Sequence, residues 1–93
     1  MSTDEGRYQL VLARSAVVTL AEKLPEKVAL AVFGFIKGPL LDNPHRVGRR
    51  LREPLAPAYA ARRGSYRVLY FIDETTKTVK VSAIAHRSDA YRT

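Results

Sequence analysis

The segment Tyr66-Arg67-Val68-Leu69-Tyr70-Phe71-Ile72-Asp73 constrains this chain more than any other. Read as a strand, it puts Tyr66, Val68, Tyr70 and Ile72 on one face and Leu69 and Phe71 on the other. Both faces are apolar, which predicts a central strand covered on at least one side. Arg63-Gly64-Ser65 before it and Asp73-Glu74-Thr75 after it are short enough for hairpin connections. Residues 58–63 and 76–85 are therefore expected as its antiparallel neighbours. A charged residue, Arg67, opens the central strand on the Leu69–Phe71 face. An unpaired charge is costly to bury, so it either reaches water or a carboxylate, or is held at the mouth of the sheet for another purpose.

The N-terminal half supplies the cover. Residues 7–12 alternate as a first strand. Ser15 offers a helix N-cap, and Val17, Leu20, Ala21 and Leu24 follow at the spacing of one helical face. Leu24-Pro25 ends this helix, because a residue before proline avoids the α region. Pro25 suits the first turn of a second helix, with Glu26 near its positive end and Val28, Val32, Phe35 and Ile36 as its apolar stripe. Gly38-Pro39 should end or bend it, and Asp42-Asn43-Pro44 is turn chemistry. From Val47 to Pro57 the chain is basic and broken by prolines, so irregular structure with at most a short strand is expected. The order β-α-α-β-β-β gives an α+β fold, a helical hairpin packed on a small, mostly antiparallel twisted sheet. The 93 residues form one domain on this reading, with residues 1–6 a flexible tail outside it.

Charge narrows the partners. The net charge is +7, and eleven of the sixteen basic residues are arginines. Seven of these, Arg46, Arg49, Arg50, Arg52, Arg62, Arg63 and Arg67, fall in one segment against the single carboxylate of Glu53. Clustered guanidinium groups grip phosphates bidentately, so the segment points to nucleic acid or another polyanion. The absence of cysteine excludes disulfides, thiol nucleophiles and cysteine–zinc sites. The two histidines, His45 and His86, have no neighbouring carboxylates at metal-ligand spacing, so neither a metal nor another cofactor is expected. No apolar run approaches the roughly 18 residues of a membrane span, and the polar N-terminus lacks a signal-peptide core. A cytoplasmic protein with no membrane partner is the expectation.

Arginine, histidine and tyrosine remain as chemistry. Ala85-His86-Arg87-Ser88-Asp89-Ala90-Tyr91 holds all three just after the last strand. RNA cleavage by the substrate's own 2′-hydroxyl suits such a set without metal. It needs a base, cations for the crowded phosphate and an acid for the leaving oxygen. An imidazole with an ordinary pKa of about 6.5 serves as either acid or base. Residue types alone equally allow His86 as an ordinary strand-end histidine and Tyr91 as a packing aromatic.

Read together, the pieces carry more. Leu24-Pro25-Glu26 is followed by Gly38-Pro39-Leu40-Leu41-x-Asn43-Pro44-x-Arg46-x-Gly48. Then come Arg62-Arg63-Gly64-x-Tyr66-Arg67-Val68-Leu69-Tyr70-x-Ile72-Asp73 and His86-Arg87-x-Asp89-x-Tyr91. In this order, over residues 7–92, the chain resembles the RelE branch of the RelE/ParE toxin superfamily, most of all its actinobacterial members. The resemblance implies a toxin that enters the ribosomal A site and cuts mRNA there by 2′-hydroxyl attack, leaving a 2′,3′-cyclic phosphate. It implies a cognate RelB-like antitoxin that wraps the toxin, and contact with operator DNA only through that complex. Arg67 matches the family arginine that stabilises the scissile phosphate, Tyr91 the C-terminal tyrosine, and His86 and Arg87 the late basic cluster.

The chain departs from the family at one strand. Where the best-known enterobacterial member carries two lysines on the strand ahead of the Gly-x-Tyr-Arg element, this chain reads Tyr59-Ala60-Ala61-Arg62-Arg63. Arg62 or Arg63 would supply the charge, though a group with a pKa above about 12 shuttles protons poorly. A sister subgroup uses a glutamate base before Pro-Leu together with a late histidine, which maps onto Glu53 and His86. Glu53 is alternatively a counter-ion for its arginine-rich loop. The catalytic candidates are thus Arg67, His86, Tyr91, Arg62 and Glu53, and the RNA- or ribosome-binding candidates are Arg46, Arg49, Arg50, Arg52, Arg63 and Arg87. Two other readings stay open: a ParE-like toxin acting on a target such as DNA gyrase, and an inactive basic module that binds only antitoxin or RNA.

Overall fold

The structure, a computed structural model, describes residues 7–86. The tail assigned to residues 1–6, and Arg87 and Tyr91, lie outside the described residues.

Strand β1 (Gln9–Leu12) is followed by helix α1 (Arg14–Val18), which runs on through a wider π-type turn over Thr19–Lys23. The helix starts ahead of the expected Ser15 cap, with Ala13 at the N-cap position. Ser15 sits inside it and accepts a bond at its carbonyl from the Thr19 hydroxyl at 2.9 Å. Leu24 is extended (ψ 144°) before Pro25, which breaks the helix as expected and caps α2 (Glu26–Phe35). Helix α2 does not stop at Gly38-Pro39. It continues as a π-type turn over Ile36–Leu40 with Pro39 inside. The wider turn relieves the clash that a proline ring makes with the carbonyl four residues back, so the chain bends past it. Pro44 then opens a single helical turn, α3 (Pro44–Val47), where a plain turn was expected.

Strands β2 (Arg49–Arg50), β3 (Tyr59–Arg63), β4 (Tyr66–Asp73) and β5 (Thr78–His86) complete one sheet in the order β1-β5-β4-β3-β2. Only β1, parallel to β5, departs from antiparallel pairing. The α+β architecture is thus as read from the sequence, with β4 at the expected bounds and α3 added.

The helices cover one face. Val32, Ile36, Leu40 and Ala16 pack with Val68, Tyr70, Val79, Val81 and Ile84 in the core. The α2 stripe is the expected one. In α1 the small Ala16 is buried while Val17 is 45% exposed, so the predicted face is turned toward an open groove shared with α2. Among the described residues no helix covers the other face of the sheet, and Phe71 there is 38% exposed.

A bulge at Ser82 sets the phase of β5. Tyr70 pairs with Val81 and Leu69 with Ala83, leaving Ser82 unpaired. The Ser82 hydroxyl donates to the Leu69 carbonyl at 3.2 Å. The extra residue reverses the alternation, so Ile84 is buried on the same face as Val79 and Val81.

Candidate active site

Strand alternation sorts the arginines. Arg62 pairs with Arg67 across the β3–β4 hairpin, and Arg49 pairs with Ala60 across β2–β3. Paired residues share a face. These side chains meet on the uncovered face, where Val47, Gly48, Arg49, Ala60, Arg62 and Arg67 line a cleft of about 400 Å³. Arg63 and Tyr66, the neighbouring pair, lie on the opposite face against Lys27, Val28, Ala31 and Val32 of α2.

The cleft is cationic and uncompensated. Among the described residues the ion pairs are Arg7–Asp42, His45–Glu74 and Lys77–Glu74. None involves Arg49, Arg62 or Arg67. Arg67 is half-buried, and its Nη1 is shielded from solvent with no hydrogen-bond partner. A buried donor left unsatisfied costs about 1–3 kcal/mol. An anion in the cleft would satisfy it and relieve repulsion among the three guanidinium groups at once.

The backbone around the cleft is clamped by Tyr70. Its side chain is fully buried, and its hydroxyl donates to the Pro44 carbonyl at 2.6 Å. Burial, followed by the charge of Tyr59, pushes its phenol well above the ordinary range, so it remains a donor. Gly48 is required by this clamp, since a Cβ there would stand 2.1 Å from the Tyr70 hydroxyl oxygen and 2.9 Å from the Ala60 carbonyl.

The remaining candidates are scattered. Glu53 is exposed in the loop between β2 and β3, makes no ion pair among the described residues and does not line the cleft. Arg46, Arg50 and Arg52 are exposed near the cleft in sequence but are not among its lining. Arg67 pairs with Ala85, as a short hairpin turn requires, and His86 pairs with Tyr66. The two rings stand edge to face at 5.4 Å. His86 therefore belongs to the helix-covered face, and Ala85, not His86, stands beside Arg67. The Ser82 bulge is the reason: unbroken alternation would have put His86 on the face of Arg67.

One polar cluster was not anticipated. At the far end of the sheet, Glu74 bonds to His45 Nε2 and accepts from the Tyr8 hydroxyl at 2.7 Å. His45 Nδ1 lies 3.3 Å from the Tyr59 hydroxyl, and Lys77 sits over the Tyr8 ring. The bond to His45, then that from Tyr8, holds the Glu74 carboxyl below its ordinary value. No spacing rule links residues 8, 45, 59 and 74; only the sheet topology brings them together.

Residues 13–91 match the family described as "ParE toxin of type II toxin-antitoxin system, parDE". The chain is 44% identical to Toxin RelE of Mycobacterium tuberculosis over 97% of its length and 92% of the relative's. It is 47% identical to Toxin RelG of the same organism, over 75% of this chain and 80% of that one. The fold superposes on a crystal structure of the toxin–antitoxin complex RelBE2 from Mycobacterium tuberculosis with a TM-score of 0.82 and 41% identity, covering 87% of this chain and 99% of that one. An uncompensated arginine cleft on the open face of a RelE-like sheet, together with these matches, makes the chain a member of the RelE/ParE family of type II toxin–antitoxin toxins.

Proposed function

We propose that this toxin is a metal-independent endoribonuclease that cuts mRNA in the ribosomal A site and is held silent by a RelB-like antitoxin. The observation that carries the reading is the cleft of three guanidinium groups without counter-ions among the described residues, in which Arg67 keeps a shielded, unpartnered Nη1. In the reaction the substrate's 2′-oxygen bonds to phosphorus and the bond to the 5′-oxygen breaks. The 2′-proton leaves to a base, and the 5′-oxygen takes up a proton. The phosphorane between these states carries extra negative charge, so fixed cations bind it more tightly than the ground state. Arg67, with Arg62 beside it, supplies that stabilisation. Proton transfer falls to Tyr91, the family's C-terminal tyrosine, with Arg87 nearby in sequence. His86, set against Tyr66, acts through packing in this reading, and Glu53 is a base only where the ribosome brings its loop to the RNA.

The antitoxin takes its support from the RelBE2 complex that the fold resembles. A second reading, action on another target in the manner of the ParE branch, takes its support from the family description. The identity to Toxin RelE favours the first. The experiment is primer-extension mapping on programmed ribosomes with the purified toxin. A single cut in the A-site codon is expected. Arg67→Ala should lower single-turnover cleavage on the order of 10²–10³, with a smaller loss of ribosome binding and an unchanged melting curve. Intact A-site mRNA with the wild-type toxin overturns the reading. A sharply lowered melting temperature with normal cleavage by the folded fraction makes Arg67 structural instead.

A further inference from the structure

Strand β3 presents Ala60 to the cleft where the resemblance to the family leads one to look for a lysine. Arg49 stands directly across from that alanine, in Cα register with it, and lines the same cleft as Arg67. Arg50, its neighbour, pairs with Tyr59 on the other face. The two adjacent arginines are thus unlike in placement, although both were expected to serve as docking charges.

Strand β2 has two residues and lies at the edge of the sheet, too little pairing to fix a long side chain by itself. What fixes it is the segment just before it. The fully buried Tyr70 holds the Pro44 carbonyl at 2.6 Å. Gly48, the residue before Arg49, lies so close to the Tyr70 hydroxyl that no side chain fits there. The clamp therefore sets where β2 begins and where Arg49 enters the cleft.

We infer that Arg49 is a catalytic cation of the scissile-phosphate site, taking over from the neighbouring strand the charge that Ala60 lacks, and that Tyr70 is its positioning residue. The inference rests on the proposed ribonuclease reading and deepens it. A guanidinium on a clamped strand can meet the phosphate's non-bridging oxygens from the side opposite Arg67 with little reorganisation.

The test is a double-mutant cycle on single-turnover cleavage at saturating ribosomes, beside equilibrium binding, using Arg49→Ala, Tyr70→Phe and the pair. Arg49→Ala should lower the saturating rate by on the order of 10². Arg49→Lys should recover part of it, since it keeps charge without the bidentate fork. Tyr70→Phe keeps the ring in the core and loses one hydrogen bond, so up to about a tenfold loss is expected. In the Arg49→Ala background Tyr70→Phe should have almost no further effect, because its action runs through Arg49. Additive losses would show Tyr70 to be merely structural. An Arg49→Ala variant that weakens binding but keeps the saturating rate would return Arg49 to the docking surface. If wild-type toxin does not cleave, the ribonuclease reading has failed first. Should Tyr70→Phe fail to fold, the comparison of Arg49→Ala with Arg49→Lys still decides the role of Arg49.

Discussion

Glu74 shows how much a single exposed side chain can organise. It gathers His45 from α3, Tyr8 from the segment before β1 and Lys77 from its own turn. Its carboxyl is held below the ordinary 4.5, first by the bond to His45 and then by that from Tyr8. A carboxyl with a depressed folded-state pKa adds stability that is present above the unfolded value and lost as pH falls through the folded one. Melting temperature followed from pH 6 downward should therefore fall below about pH 4.5 in the wild type, and Glu74→Gln should flatten that limb. Equal slopes in the two proteins would show that the cluster does not contribute. Nothing in the sequence marked this residue, because its partners lie 29 and 66 positions away. Arg67 was legible for the opposite reason: a charge at the start of a strand apolar on both faces already asks what it is for.

The elements were legible in proportion to how locally they are determined. Strand β4 has its expected bounds because its alternation is unbroken. Strand β2 was foreseen only as a short strand somewhere in residues 47–57, and helix α3 not at all, since a tertiary contact, the Tyr70 clamp, holds the chain there. Gly48 is the residue on which that contact turns. Gly48→Ala should force β2 away from Tyr70 and the Ala60 carbonyl, where the close approach is to backbone and to a buried ring. A loss of about 1–3 kcal/mol is expected, measured by denaturant unfolding. Cleavage by the fraction still folded should fall as well, because Arg49 follows Gly48 directly. An unchanged midpoint would mean that β2 can shift without cost. Pro39 is the converse case. Its sequence signal for a helix end was sound, yet the π-type turn absorbs it and α2 delivers Leu40 to the core.

At the scale of the whole molecule, charge and fold are separable. The helical hairpin buries one face of the sheet, and Arg49, Arg62 and Arg67 gather on the other, where none of the described helices intervenes. Ribosome binding should then weaken steeply with salt. Removing Arg46 and Arg52 together should flatten the plot of log affinity against log salt by up to about one counterion for each phosphate that is no longer neutralised. An unchanged slope assigns both to plain surface. An antitoxin that masks the cleft should be acidic, and its association rate should fall as ionic strength rises. A basic antitoxin, or a complex that leaves Arg62 and Arg67 open, would mean that inhibition works through bulk instead.

The unpaired Ser82 makes the last strand tolerant of a change in its own length. Val81 keeps Tyr70 and Ala83 keeps Leu69 as partners whether or not Ser82 stands between them. Deleting that one codon would restore unbroken alternation and leave Ile84, 5% exposed, opposite Val68 in the core and His86 opposite Tyr66. Closing the bulge without a deletion is the opposite case: with Ser82 paired to Leu69, every later residue would slip by one and change face. That slip would carry His86 round to the arginines only by turning Ile84 out of the core, at about 1.5–3 kcal/mol for a buried aliphatic side chain.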